Sequence, residues 1–195
     1  MDEEFDWLLV NARVPKEPSR HRVAVWRALR KTGAVPISSG MWAAPKLPVM
    51  EQGIDGARVL AERGGGTLGV FVVTRGSGSD TDLLREAFIG ARRDEWTELI
   101  AECGKFEVEI RKEIETDKLT FAELEEEEQS LERLQRWFAE LEARSVVALD
   151  EQAIAAQQLV ICQSVLEGYA DLVYRAAELG TGPQIVVDDE DAIGR

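Results

Sequence analysis

Seven basic side chains fall between residues 13 and 31, namely Arg13, Lys16, Arg20, Arg22, Arg27, Arg30 and Lys31, against one acid, Glu17. The only histidine, His21, lies among them. Cations with so few carboxylates beside them attract phosphates and oxyanions. Lys16, Arg20, Arg27, Arg30 and Lys31 are the candidate phosphate contacts of a DNA-binding surface. Arg20, His21 and Arg22, near a helix start where the dipole also favours anions, are the candidate set for a small-oxyanion pocket. Other chemistries lack their residues. One histidine and two distant cysteines, Cys103 and Cys162, give no zinc site and no Cys/His dyad. The chain holds no G-x-S-x-G, Walker or dinucleotide-binding motif. Gly64-Gly65-Gly66 precedes a strand rather than a helix, so it reads as a turn and not as a phosphate loop. The acidic run Glu125–Glu128 reads as a solvated face. The expectation is a protein that is not an enzyme and has no cofactor, metal or catalytic residue.

The elements that must position these cations begin at Phe5. Residues 5–14 are an apolar run ended by Pro15, which reads as a buried strand. Pro15 and Pro18 bracket a loop, and Ser19 is placed to cap a helix. That helix runs from Arg20 to about Thr32, where Gly33 supplies a left-handed stop. At 100° per residue Val25, Trp26 and Leu29 make its apolar stripe, and Arg20, Ala24, Arg27 and Lys31 its exposed one. Arg22 falls on the Trp26/Leu29 side, which directs a charge inward. Residues 34–38 and 41–44 flank Ser39-Gly40 as a hairpin. A helix over 49–63, weakened by Gly53 and Gly56, precedes the β-branched strand 67–74. The fold class is therefore α+β: an N-terminal ferredoxin-like βαββαβ domain over 1–76. The stretch 75–80 reads as a flexible joint.

An α-helical hairpin or bundle extension follows over 77–180. One helix is expected over 80–103, interrupted at Gly104, and a shorter one after it. Thr120 and Glu123 form a capping box for a helix to about Arg144. Leu124, Leu131 and Phe138 recur every seven residues, as in a paired-helix seam. A last helix, 151–179, is apolar over a wide arc and suits a helical core or a dimer interface. Residues 181–195 read as a mobile acidic tail.

The net charge of −14 is unevenly spread: residues 1–75 carry 11 Lys/Arg against 8 Asp/Glu, and residues 76–195 carry 12 against 29. Binding follows local potential, so the acidic average does not exclude nucleic acid. The apolar share of 45% supports a real core. No apolar run is long enough for a membrane span. The acidic start, MDEEFDW, lacks the features of a signal peptide, and two cysteines fit a reducing compartment; a cytoplasmic protein is expected.

The segment WLLVNARVPKEPSRHRVAVWRALRKTGAVPISSGMWAAPK resembles the N-terminal domain of ChrB, the chromate-resistance regulatory protein. The matches are the W-L-L strand, V-P-x-E-P-S-R-x-R-V at 14–23, W-R-x-L at 26–29, G-A at 33–34 and G-x-W-x-x-P at 40–45. EAFIGARRDEWTELIAEC at 86–103 and LEEEEQSLERLQRWFAELEAR at 124–144 are similar to later parts of that family. The resemblance covers about residues 5–145 and implies a cytoplasmic DNA-binding regulator of chromate response. No counterpart of the family's C-terminal domain is expected in the chain. The strand–proline–helix pattern is also similar to the ferredoxin-like domains of phenylacetate-degradation repressors and small CRISPR integration nucleases. Those nucleases end the first strand on a metal-binding Asp, where this chain has Asn11, Ala12 and Arg13.

The leading expectation is a DNA-binding transcriptional regulator of the ChrB-like type, acting on promoter DNA as a homodimer. Its rivals are a binder of chromate or another small oxyanion through Arg20, His21 and Arg22, and a protein-interaction module that works through the acidic helices without DNA.

Overall fold

The computed structural model describes residues 6–74 and 79–180. The described residues fall into two compact units: one reaches Trp96 and includes Leu141–Glu151, and the other holds Thr97–Glu140 and the residues from Gln152. Most of the joint at 75–80 and all of the 181–195 tail lie outside the described residues.

The first unit is built on strand β1 (Trp7–Arg13), whose apolar residues serve both faces of a sheet. Four antiparallel strands follow the order β2-β3-β1-β4, with β2 at Val35–Ser38, β3 at Met41–Pro45 and β4 at Thr67–Val73. Leu9 of β1 faces Ala43 on one side and Phe71 on the other. Pro36, which cannot donate to a ladder, sits on the edge strand β2. The β2–β3 turn uses Gly40 at φ 74°, and its carbonyl accepts from the Ala12 amide at 2.8 Å.

Helices α1 (Ser19–Thr32) and α2 (Pro48–Arg63) cover one sheet face. Leu8 and Val10 pack there with Val25 and Leu29 of α1 and Met50, Ile54, Ala57 and Ala61 of α2. Each large side chain so buried contributes about 1.5–3 kcal/mol before entropy is counted. Helix α1 starts one residue before the expected position. Pro18, joined to Glu17 by a cis peptide, holds the capping place, and the Ser19 side chain makes no cap. The stop at Gly33 is as expected, at φ 96°.

The other face of the sheet is covered too. Trp7, Val35 and Ala43 are buried with Phe88, joined by Leu84, Ala91, Val146 and Val147. The rings of Trp7 and Phe88 meet edge to face at 5.8 Å. Phe88 belongs to α3 (Ser79–Glu115), so the part of this helix up to Trp96 packs with the sheet. The expected interruption at Gly104 does not occur. A glycine costs only about 1 kcal/mol in a helix, and buried Cys103, Phe106 and Ile110 around it hold the backbone in place.

The second unit joins the rest of α3 to most of α4 (Phe121–Glu142) and α5 (Asp150–Glu178). The Thr120 hydroxyl accepts from the Glu123 amide at 3.3 Å and starts α4 as the capping pattern predicts. Leu124, Leu131 and Leu134 are buried along it. From α5, Cys162 donates to the Cys103 carbonyl at 3.6 Å, and the Tyr169 hydroxyl bonds the Lys118 carbonyl at 2.6 Å. Tyr169 also lies 3.3 Å from the Glu113 carboxylate. Among the described residues no helix is long and apolar enough to cross a membrane.

Candidate functional site

The cations of residues 13–31 divide into three settings. The first is the outer face of α1. Arg20, Arg27 and Lys31 are exposed there at helical spacing, with Lys16 exposed in the loop before it. Among the described residues no carboxylate pairs with any of the four; Arg20 only meets the His21 ring, at 3.5 Å. These side chains are held out because Val25 and Leu29 take the opposite face into the core.

The second setting is a groove of about 730 Å³ beneath the other flank of α1. Arg13 from the end of β1, Lys16 from the loop and Arg22 from α1 line it, with Trp26 and Trp42. The Ser39-Gly40 turn and Gly65-Gly66 line it as well. A Cβ at Gly66 would lie 2.4 Å from the Arg13 carbonyl oxygen, so the close backbone approach there requires glycine. Arg13, Lys16 and Arg22 have no acidic partner among the described residues, and all three are exposed.

Two expectations about α1 need correction here. Trp26 does not join the buried stripe but is 46% exposed. Arg22 is exposed rather than directed into the core. Both follow from one cause: the helix packs through Val25, Ala28 and Leu29, which rotates positions 22 and 26 to the groove edge. Arg20 and His21 do not line the groove, so this groove does not gather the trio Arg20, His21 and Arg22. His21 instead abuts Gly64, where an added Cβ would lie 2.7 Å from its own Cβ.

The third setting holds Arg30 alone. Its guanidinium lies 5.2 Å over the Trp26 ring and 3.4 Å from Glu95 of α3. Glu95 is buried and also receives Arg92 at 3.2 Å and Arg144 at 3.0 Å. Three arginines thus share one carboxylate. Arg92 is 4% exposed, and its Nε and Nη1 are buried without a hydrogen-bond partner among the described residues. Burial pulls the Arg92 pKa down to about 10; Glu95 opposes the shift, while Arg144 and Arg30 add to it. Arg92 rests against the Phe88 ring at 5.3 Å and close to Gly33, at the negative end of α1.

Sequence reasoning found the cations but not the groove. The signal that was present is the pair Trp26 and Trp42 beside two glycine turns. Each had a sufficient structural reading of its own, and only the fold brings them together.

Residues 22–180 match the model of the family described as Protein ChrB, N-terminal. No curated protein and no solved structure matches the chain.

Proposed function

We propose, from the premise that the chain belongs to the ChrB N-terminal family, that it is a DNA-binding transcriptional regulator and not an enzyme. That family is associated with chromate resistance. The observation that carries the reading is the row Arg20, Arg27 and Lys31 on α1, exposed and unpaired by acids among the described residues. Such a row suits successive phosphates of a duplex, which supply affinity and salt dependence but no sequence information. Lys16 extends the row. Arg30 serves it less directly, since Glu95 and Trp26 already engage its guanidinium. The strand order β2-β3-β1-β4, with α1 and α2 against one face, supports the ferredoxin-like reading of the first six elements.

A homodimer would double the row and oppose two half-sites. The sheet edge at β4 is a suitable meeting surface, because Phe71 and Val72 are exposed on it. A small-oxyanion site built from Arg20, His21 and Arg22 has less support, since of the three Arg22 alone lines the groove.

The test is binding of the intact chain to its own promoter DNA and to a random duplex at two salt concentrations, with and without chromate. Promoter-selective binding is expected. Changing Arg20, Arg27 and Lys31 to Glu should weaken it and reduce the salt slope by about 3, at about 0.9 per phosphate contact. No binding at low salt would overturn the reading.

A further inference from the structure

The groove beside α1 has a composition that phosphate contact with a duplex does not use. Its volume of about 730 Å³ falls within the roughly 300–1,000 Å³ typical of sites for small organic ligands. A tetrahedral oxyanion would fill a small fraction of it. Its apolar lining, Val25, Leu29 and Trp42, belongs to the core of the first unit and is therefore rigid. At its edge stands Trp26, a large ring left 46% exposed. Arg30 lies over that ring and is itself paired with Glu95, which gives the ring a packed neighbour. An aromatic ring held at the edge of a groove is a stacking platform. Around it Arg13, Lys16 and Arg22 bring three cationic groups without an acidic partner among the described residues. A terminal phosphate, with three anionic oxygens, can engage three such groups together; a carboxylate offers two oxygens.

We propose that this groove binds a mononucleotide-like ligand, a planar ring bearing a phosphate, with the ring against Trp26 and the phosphate held by Arg22, Arg13 and Lys16. The same chemistry is presented by a free nucleotide and by the 5′-phosphorylated end of a single strand. The proposal does not depend on duplex binding by the outer face, because Arg20, Arg27 and Lys31 do not line the groove.

The experiment is calorimetric titration of the intact chain with adenosine monophosphate, adenosine, inorganic phosphate, benzoate, a short 5′-phosphorylated single-stranded oligonucleotide and a duplex. The monophosphate should bind at least tenfold more tightly than adenosine, phosphate or benzoate. Arg22→Glu and Trp26→Ala should each weaken it roughly tenfold or more, while Lys31→Glu, on the outer face, leaves it unchanged. Both altered positions are exposed, and circular dichroism checks that each variant is folded. Tighter binding of the single strand than of the monophosphate assigns the ligand to nucleic acid; the reverse assigns it to a free nucleotide. Phosphate or benzoate binding as tightly as the monophosphate overturns the proposal. So does unchanged affinity in folded Trp26→Ala, or no binding of either the monophosphate or the single strand. Duplex binding lost through Lys31→Glu, with monophosphate binding retained, would separate the two surfaces.

Discussion

The guanidinium of Arg30, in the last turn of α1, reaches the carboxylate of Glu95 on α3 across 3.4 Å. The link ties the basic helix to the layer on the opposite face of the sheet, where Glu95 also pairs with Arg92 of its own helix and with Arg144. The two ends of the contact differ in environment. The Arg30 side chain is half-exposed, whereas Glu95 is buried beside an arginine that water does not reach. Removing Glu95 leaves Arg92 and Arg144 uncompensated, while removing Arg30 leaves Glu95 with two partners. Glu95→Ala is therefore expected to cost roughly 3–5 kcal/mol in denaturant unfolding. Arg30→Ala should cost about 1 kcal/mol or less. Equal losses would show that Arg30 is the principal partner.

The outer row of α1 should behave in the opposite way. Arg27 and Lys31 are exposed and make no ion pair among the described residues. Arg27→Glu and Lys31→Glu are expected to leave stability within about 0.5 kcal/mol of the parent. The same variants should lose promoter affinity. A variant that melts early would mean that the row supports the fold, and its binding loss could not then be assigned to phosphate contacts.

How much of this was legible in the sequence depends on where the deciding neighbour sits. The β1–α1–β2–β3–α2–β4 order could be read because Pro15, Gly33, Ser39-Gly40 and Pro45 mark their own boundaries locally. The exposure of Arg27 and Lys31 followed from helical spacing. Trp26 was misread because hydrophobicity alone cannot rank it against Val25 and Ala28; the tilt of α1 on the sheet decides. The Glu95 cluster was invisible for a similar reason. Its members Arg30, Arg92 and Arg144 belong to three distant segments that each look like solvated surface. Helix α3 was read as broken at Gly104, although the burial of Cys103 and Phe106 outweighs one glycine.

Glycines in the helices make this contrast measurable. In α2 a Cβ at Gly53 would lie 2.3 Å from the Thr32 hydroxyl oxygen and 2.9 Å from the Thr32 Cβ. That hydroxyl is engaged with the Ala28 carbonyl at 2.9 Å, so Thr32 is not a loose end that swings away. A Cβ at Gly56 or at Gly104 meets nothing within 4 Å. Gly53→Ala is expected to destabilise the chain by about 1–3 kcal/mol by forcing α1 and α2 apart. Gly56→Ala and Gly104→Ala should each stabilise it by roughly 0.5–1 kcal/mol through helix propensity alone. Chemical denaturation of the three variants reads the signs directly. A stabilising Gly53→Ala would mean that the interface can yield without cost.

Glu127 on α4 carries a pH dependence of its own. Its side chain is largely buried, and burial raises its pKa above the ordinary value of 4.5, with Glu113, Glu126, Glu109 and Glu123 adding repulsion. The folded state therefore keeps the Glu127 proton to higher pH than the unfolded chain does. Its contribution to stability is fully present below the ordinary carboxylate range and is lost as pH rises through the raised value, because a charge must then be held among other acids. Glu127→Gln removes that charge and preserves the shape. The variant is expected to melt at a higher temperature than the parent at neutral pH, and the difference should close as pH falls below about 4.5. Thermal melts of both proteins across that interval test it. A gap that stays constant with pH would show that the gain comes from packing and not from the carboxylate's ionisation.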